Sequence, residues 1–210
     1  MKRNVAQKSN EAKAAFGFKA HSGWAALIVL GTRDGDLEVL ERSRVELVEE
    51  EWAKQPYHAA ELLKRTEARR IVTRGIDSAK RIALREMRNA LKRTRESGFE
   101  VQGCGLIVGS PMPDWSVDEI LAVHFRMHKA EGVLFRDVLA KAADECDLRV
   151  VSAPEKSLLQ HAQTALETDA TRLSQQLDAL GKLVGPPWGK DQKEATLAAM
   201  IALQGQGPRQ

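Results

Sequence analysis

Cysteine, long apolar runs and an apolar N-terminal segment are scarce or absent in this chain. The two cysteines, Cys104 and Cys146, lack the spacing of metal ligands, so we expect two reduced thiols and no disulfide framework. No window reaches 18 consecutive apolar residues, which predicts that no helix crosses a membrane. The basic start of the chain lacks the apolar segment of a secretory signal. These absences predict a cytoplasmic protein with no membrane partner.

A large excess of charge is missing too. The net charge is only +3 over 210 residues, so the total does not by itself indicate a nucleic-acid partner. A hydrophobic content of 43% is ordinary for a globular protein, and the length suffices for one well-buried core. We therefore predict a single domain over residues 15–203, between flexible tails at 1–14 and 204–210.

A carboxylate is missing where the first predicted strand begins. Residues 16–31 read FGFKAHSGWAALIVLG, in which a polar turn at 21–23 leads into an unbroken apolar run at 25–30. Such a run is typical of a strand that is covered on both faces. No acid occurs among the four residues before Gly23, which are Lys19, Ala20, His21 and Ser22.

The rest of the chain alternates between strand and helix patterns. Strands are predicted at 37–42 and 44–48, 99–108 and 148–152. Helices are predicted at 58–97, where Gly75 is a possible interruption and Gly98 the end signal, and at 116 onward, 124–146, 154–167, 170–180 and 191–203. The order β-β-β-α-β-α-β-α-α predicts an α/β fold: a mixed sheet of three antiparallel strands, then alternating helices and strands, with helices on both faces.

Two stretches resemble the ribonuclease H-like superfamily and, within it, the RuvC-type Holliday junction resolvases. Residues 21–27, HSGWAAL, resemble the turn after the family's first catalytic aspartate, and residues 189–198, GKDQKEATLA, resemble its last helix. The resemblance implies a ribonuclease H-like fold over about 16–203. In active members it also implies carboxylates that bind two Mg²⁺ ions and cleave phosphodiesters.

The carboxylates that this chemistry needs are incomplete. Asp191 and Glu194 are three residues apart and share a helix face, so they are the weak catalytic candidates. The first strand offers no acid, and the fourth offers Glu100 at its beginning and none at its end. The sequence therefore favours a member with degenerate catalytic positions, without a cofactor. Mg²⁺ is implied only if the chain is a diverged nuclease.

One predicted helix carries a basic stripe. The apolar residues of 74–95 share one face, and the basic residues lie opposite them at helical spacing. A stripe of this kind can follow a phosphate backbone of RNA, DNA or a ribonucleoprotein. The alternative is a solvated face that is partly paired with acids. The candidate nucleic-acid-binding residues are Arg74, Arg81, Arg85, Arg88, Lys92 and Arg95.

Other polar and aromatic residues are candidates for a cleft at the strand ends. They are His21, Ser22, Ser110, Trp188 and Lys190. Trp188 could stack on a base or a partner, although packing is the more common role of such a ring. His124 and His128 are four residues apart with Glu131 near their face, but two histidines on a helix are more often surface residues, and no metal site is predicted. His58 shows no pattern with other residues.

Three functions remain open from the sequence. The first is a non-catalytic protein that binds nucleic acid or a ribonucleoprotein through the basic helix. The second is an assembly protein, such as a homo-oligomer, whose basic helix pairs with an acidic patch of another subunit. The third is the diverged nuclease.

Overall fold

The computed structural model describes residues 12–205, and its centre is one five-stranded sheet. The strands are β1 (Lys13–His21), β2 (Trp24–Arg33), β3 (Asp36–Glu46), β4 (Glu100–Val108) and β5 (Val150–Pro154). Their order across the sheet is β3-β2-β1-β4-β5. β1, β2 and β3 are antiparallel neighbours, whereas β4 and β5 run parallel to β1. This mixed sheet confirms the predicted ribonuclease H-like α/β fold.

Seven α-helices surround the sheet or pack on its helices within the described residues. They are α1 (Pro56–Ala60), α2 (Arg65–Glu96), α3 (Val117–Leu121), α4 (His124–Asp144), α5 (Leu158–Ala165), α6 (Ala170–Val184) and α7 (Lys190–Gln204). α2 and α4 pack on one face of the sheet, and α5, α6 and α7 pack on the other. None of the helices described between residues 12 and 205 is long and apolar enough to span a membrane.

The prediction of the first three strands was wrong in detail. The first strand of the sheet is β1, which the sequence analysis did not recognise, and the two strands predicted at 37–42 and 44–48 are the single strand β3. β1 contains three alanines and one glycine, which have low strand propensity, and its burial on both faces hides the usual alternation. Lys13 and Ala14 therefore belong to the sheet, not to a tail. The remaining predicted tail residues, apart from 12, 204 and 205, lie outside the described part of the chain.

The helix predicted at 58–97 is two helices. The chain leaves α1 after Ala60 and re-enters a helix at Arg65. Gly75 does not interrupt α2; it is buried, and an added Cβ would lie 2.9 Å from Pro56 Cβ. Gly98 ends the helix as predicted, with a φ of +86°. The capping box at Ser116 and Glu119 is also confirmed.

Two glycines let α7 lie directly on the centre of the sheet. A Cβ on Gly17 of β1 would stand 1.9 Å from the carbonyl oxygen of Ala195, and one on Gly105 of β4 would stand 2.1 Å from that of Ala198. No side chain fits at either position, so the helix backbone contacts the strands directly. This contact brings the first turns of α7 to the ends of β1 and β4.

Candidate functional site

The candidate site is the edge of the sheet where three parallel strands end, the position at which the sequence predicts a cleft. β1, β4 and β5 have the same direction, so His21, Val108 and Pro154 end them at one edge of the sheet. The first turns of α7 reach the same edge. In open α/β sheets, crevices outside the carboxyl ends of strands are where ligands bind.

The centre of the cleft is an ammonium group held between carboxylates. Lys19 near the end of β1 is only 7% exposed, and its Nζ donates a hydrogen bond to Glu155, which follows β5. Nζ also lies 3.0 Å from Oε2 of Glu194 on α7, an ion pair without good hydrogen-bond alignment. Lys19 therefore joins the ends of β1 and β5 to α7.

The charges of this cluster stabilise one another. Burial by itself would lower the pKa of Lys19, but the hydrogen bond to Glu155 and the close negative charges of Glu194 and Glu155 more than offset it, so the pKa is raised. The pKa of Glu155 is lowered, chiefly by the hydrogen bond from Lys19, with smaller contributions from the charges of Arg136 and Lys190. Both groups are therefore held in their charged forms near neutral pH.

His21 forms a second pair beside the first. Its Nε2 lies 3.1 Å from Oδ2 of Asp191, and its ring stacks on Trp24 with centroids 4.3 Å apart. The guanidinium of Arg44 lies 3.8 Å from the centroid of the same Trp24 ring. His21 and Asp191, both predicted cleft or catalytic residues, are thus brought together at the strand ends.

The other predicted cleft residues have different surroundings. Lys190 is exposed and lies 3.6 Å from Oε1 of Glu194, so it belongs to the cleft. Ser22 and Ser110 are exposed on separate depressions, the first beside His58 and the second beside Arg136. No hydrogen bond or ion pair within residues 12–205 joins Ser110 to His21 or Asp191.

Trp188 has the packing role that the sequence analysis favoured over stacking. Its indole N–H donates to the carbonyl of Leu177, 3.0 Å away, and its ring lies against Gly181 of α6. The loop before α7 is also held by Arg42, whose guanidinium donates to the carbonyls of Gly185, Pro186 and Pro187. These contacts fix where α7 begins, and hence where Asp191 and Glu194 lie.

The residues of this cleft do not fit the Mg²⁺ pair of a two-metal nuclease. Such a site needs several carboxylates converging on two cations about 4 Å apart. Here an ammonium already lies between Glu155 and Glu194, and His21 is paired with Asp191. Glu100 pairs in register with Lys13 at the opposite end of β1, far along the strand from Lys19. We derive no metal-dependent step for this cleft.

The basic stripe lies on the exposed face of α2, and its residues fall into two groups. Arg74, Arg85 and Lys92 have carboxylate partners: Glu50 for Arg74, Glu49 and Glu86 for Arg85, and Glu96 for Lys92. Arg81, Arg88 and Arg95 have no carboxylate within ion-pair distance among residues 12–205. The sequence left open whether the stripe is paired with acids; three of its six residues form such pairs.

Sequence reasoning missed two parts of the cleft. Lys19 was noted only as a residue that is not an acid, and Glu155 was not considered. A signal for Glu155 existed, because it directly follows a strand that runs parallel to β1, and such strands end at one edge. For Lys19 the signal was hidden, since β1 itself was not recognised.

Comparison with known proteins gives matches in structure alone. No protein-family model matches the chain, and no curated protein matches it in sequence. The structure of Thermus thermophilus RuvC is similar, with 12% sequence identity and a TM-score of 0.48, covering 90% of this chain and 92% of that one. T. thermophilus RuvC in complex with a Holliday junction substrate gives the same identity, TM-score and coverage of this chain, with 91% of that chain covered. The ribonuclease H-like fold of this protein rests on its own strand order and directions.

Proposed function

We propose that this protein binds the phosphate backbone of a nucleic acid, free or in a ribonucleoprotein, through α2 and without cleaving it. The observation that carries the proposal is the row of Arg81, Arg88 and Arg95, exposed guanidiniums without carboxylate partners in the described part of the chain. Guanidinium groups recognise phosphates through paired hydrogen bonds, and an unpaired one gives up no internal ion pair when it binds.

The spacing of the row suits a backbone ligand. Each arginine is seven residues from the next, so all three lie within one narrow stripe of the helix. At a rise of 1.5 Å per residue, Arg81 and Arg95 are separated by about 21 Å along the axis, which is about six base-pair steps of duplex. Arg74, Arg85 and Lys92 add positive charge along the stripe, but their carboxylate partners weaken their contribution.

The non-catalytic part of the proposal is supported by Lys19. A positive side chain is held, nearly buried, beside the acids of α7, where a nuclease of this fold would need metal-binding carboxylates. The two positive charges of Lys19 and Lys190 balance the two negative charges of Glu155 and Glu194, so these acids already have cationic partners within the protein.

The experiment is fluorescence anisotropy with labelled duplex DNA and single-stranded RNA between 50 and 200 mM salt. If the three arginines each contact one phosphate of a duplex, the affinity should fall by about 40-fold over this range. Arg88→Glu/Arg95→Glu should abolish most of the binding. Arg172→Glu/Lys182→Glu is the matched control, since it changes the charge equally on α6, on the other side of the sheet.

The outcomes also separate the alternatives. The proposal would be contradicted by an affinity that does not change with salt concentration, or by equal affinities of Arg88→Glu/Arg95→Glu and Arg172→Glu/Lys182→Glu. The assembly function predicts instead that Arg88→Glu/Arg95→Glu changes the mass measured by light scattering and that the wild type does not bind nucleic acid. Mg²⁺-dependent cleavage by the wild type, lost in Glu194→Gln, would establish the nuclease.

A further inference from the structure

Three histidines that are far apart in sequence meet on the α1–α4 side of the protein. His58 lies on α1, and His124 and His128 lie one turn apart at the start of α4. Nε2 of His124 and Nε2 of His128 are 3.1 Å apart, and one ligand nitrogen from each of the three rings lies within 4.8 Å of the others. Within residues 12–205, no other group of three histidine, cysteine or acidic side chains is this compact.

Two of the three histidine rings interact with a carboxylate through Nδ1, the ring nitrogen that is not shared with the cluster. Nδ1 of His58 lies 2.6 Å from Oε2 of Glu131, and Nδ1 of His124 lies 3.1 Å from Oε1 of Glu61. A carboxylate at Nδ1 keeps the proton on that nitrogen, so Nε2 presents its lone pair. Carboxylate–histidine pairs of this kind orient the rings that ligate metals.

Glu131 is itself fixed in place. It is 5% exposed, and its Oε1 accepts hydrogen bonds from the backbone N–H groups of Tyr57 and His58, each at 3.1 Å. α1 is therefore attached to α4 by the same carboxylate that orients the His58 ring. The position of that ring is set by buried contacts, unlike that of a free surface histidine.

One nitrogen of the cluster lacks a hydrogen-bond partner in the described structure. Nε2 of His58 is buried without a hydrogen-bond partner in the described structure, and it belongs to the ring whose Nδ1 is already engaged. The Nε2 atoms of His124 and His128 face one another at hydrogen-bond distance, so a proton shared between them engages those two rings and leaves His58 out. A cation would satisfy all three.

We propose that His58, His124 and His128 bind a divalent transition-metal ion, with Zn²⁺ as the best match. Imidazole nitrogen is a preferred ligand of zinc, with Zn–N distances near 2.0–2.1 Å, so two ligands of a tetrahedral ion lie about 3.3 Å apart. The observed 3.1 Å between the two Nε2 atoms on α4 is close to that separation. Mg²⁺ is a poor match, because it prefers oxygen ligands.

The site has an open side. His124 and His128 are exposed, so three protein ligands leave a fourth position to solvent. Structural zinc sites are closed by four protein ligands, whereas three ligands and an open position are typical of sites that bind a water or another small ligand. The metal would also join α1 to α4 in addition to Glu131.

The test is metal binding by the full chain, purified without a histidine tag and freed of metal by chelation. Titration calorimetry with Zn²⁺ should give about one equivalent per chain, as expected for one three-histidine site. Co²⁺ should give the intense visible absorption of a four-coordinate ion. The binding assay for the cluster uses metal alone and does not involve the arginines of α2, so the two proposals can fail independently.

Matched variants identify the ligands. His124→Ala and His128→Ala should each lower the Zn²⁺ affinity by at least about 100-fold, and Glu61→Gln, which leaves the ligands in place, by about 10-fold or more. His161→Ala on α5 should bind as the wild type does. His124 and His128 are exposed, so these changes should leave the circular dichroism spectrum unchanged. Binding well below one equivalent, or full affinity in His124→Ala, would overturn the proposal.

Discussion

Nζ of Lys19 lies 3.0 Å from Oε2 of Glu194, so the sheet and the last helix meet through a nearly buried ion pair. Lys19 comes from the central strand β1, and Glu194 comes from the second turn of α7. The pair is possible because Gly17, two residues before Lys19, lets α7 contact the strand directly. Its importance for stability, for charge and for metal binding can be tested separately.

Removing the ammonium should destabilise the protein. Lys19→Met leaves Glu194, whose side chain is 18% exposed, without its closest cation, while Glu155 can turn toward solvent. Removing one partner of a buried ion pair lowers the free energy of unfolding by several kcal/mol. Because Glu155 is half exposed, we expect a smaller decrease of about 2–3 kcal/mol, measured by urea unfolding. Lys190→Met is the control: it removes an exposed partner of the same Glu194 and should cost less than about 0.5 kcal/mol. If Lys19→Met and Lys190→Met lowered the free energy of unfolding equally, the buried position of Lys19 would contribute nothing beyond that of an exposed ion pair.

Replacing the ammonium by an acid should make the cleft bind Mg²⁺. In Lys19→Asp, the new carboxylate would stand near Glu155 and Glu194, and three neighbouring acids with only the exposed Lys190 as an ion-pair partner favour a hard divalent ion. We expect the Tm of this variant to rise when millimolar Mg²⁺ or Mn²⁺ is added. Lys19→Asn should show no such response, because it removes the cation without adding an acid. A Tm of Lys19→Asp that is independent of both ions would show that the acids cannot converge on a metal.

The same cluster should make stability depend on pH at both extremes. The pKa of Glu155 is lowered in the folded protein, so its contribution is present above the unfolded pKa and is lost as the pH falls through the folded one. The pKa of Lys19 is raised, so its contribution is complete below the unfolded pKa and is lost as the pH rises through the folded one. The difference in unfolding free energy between wild type and Lys19→Met should therefore be largest between these limits and shrink in acid and in strong alkali. A difference that stays constant down to pH 3 would show that Glu155 is not part of the pair.

The contact between α7 and β1 should not tolerate one added methyl group. In Gly17→Ala the new Cβ would lie 1.9 Å from the carbonyl oxygen of Ala195, and this backbone atom cannot rotate away. We expect the free energy of unfolding to decrease by more than about 3 kcal/mol, at the upper end of the effects of inserting atoms into a packed core. Gly132→Ala is the control, because this glycine lies in α4 with no atom within 4 Å of the added Cβ. That change should instead stabilise the protein by up to about 1 kcal/mol, and chemical denaturation measures both.

The sequence was informative where a local rule decides the structure. Gly98 and Ser116 mark a helix end and a helix start through backbone conformation and side-chain capping, which depend on a few neighbouring residues. The acids of the last helix were also predicted, because their spacing of three places them on one face. β1 was missed in part because Gly17 is required by the contact with α7, and that requirement comes from outside the strand.

The sequence by itself determined most of the strands and helices after residue 24, the α/β class that their alternation implies, and the missing acid before the first turn. Those features are set by hydrophobic periodicity, turn residues and residue identity, all of which are local. Only the tertiary structure decided which charges meet: Lys19 with Glu155, 136 residues away, and His58 with Glu131, 73 residues away. It also decided which arginines of α2 keep a free charge, because Glu49 and Glu50 approach the helix from another part of the chain. Such pairings depend on how strands align and how helices pack, which the pattern of one segment cannot specify.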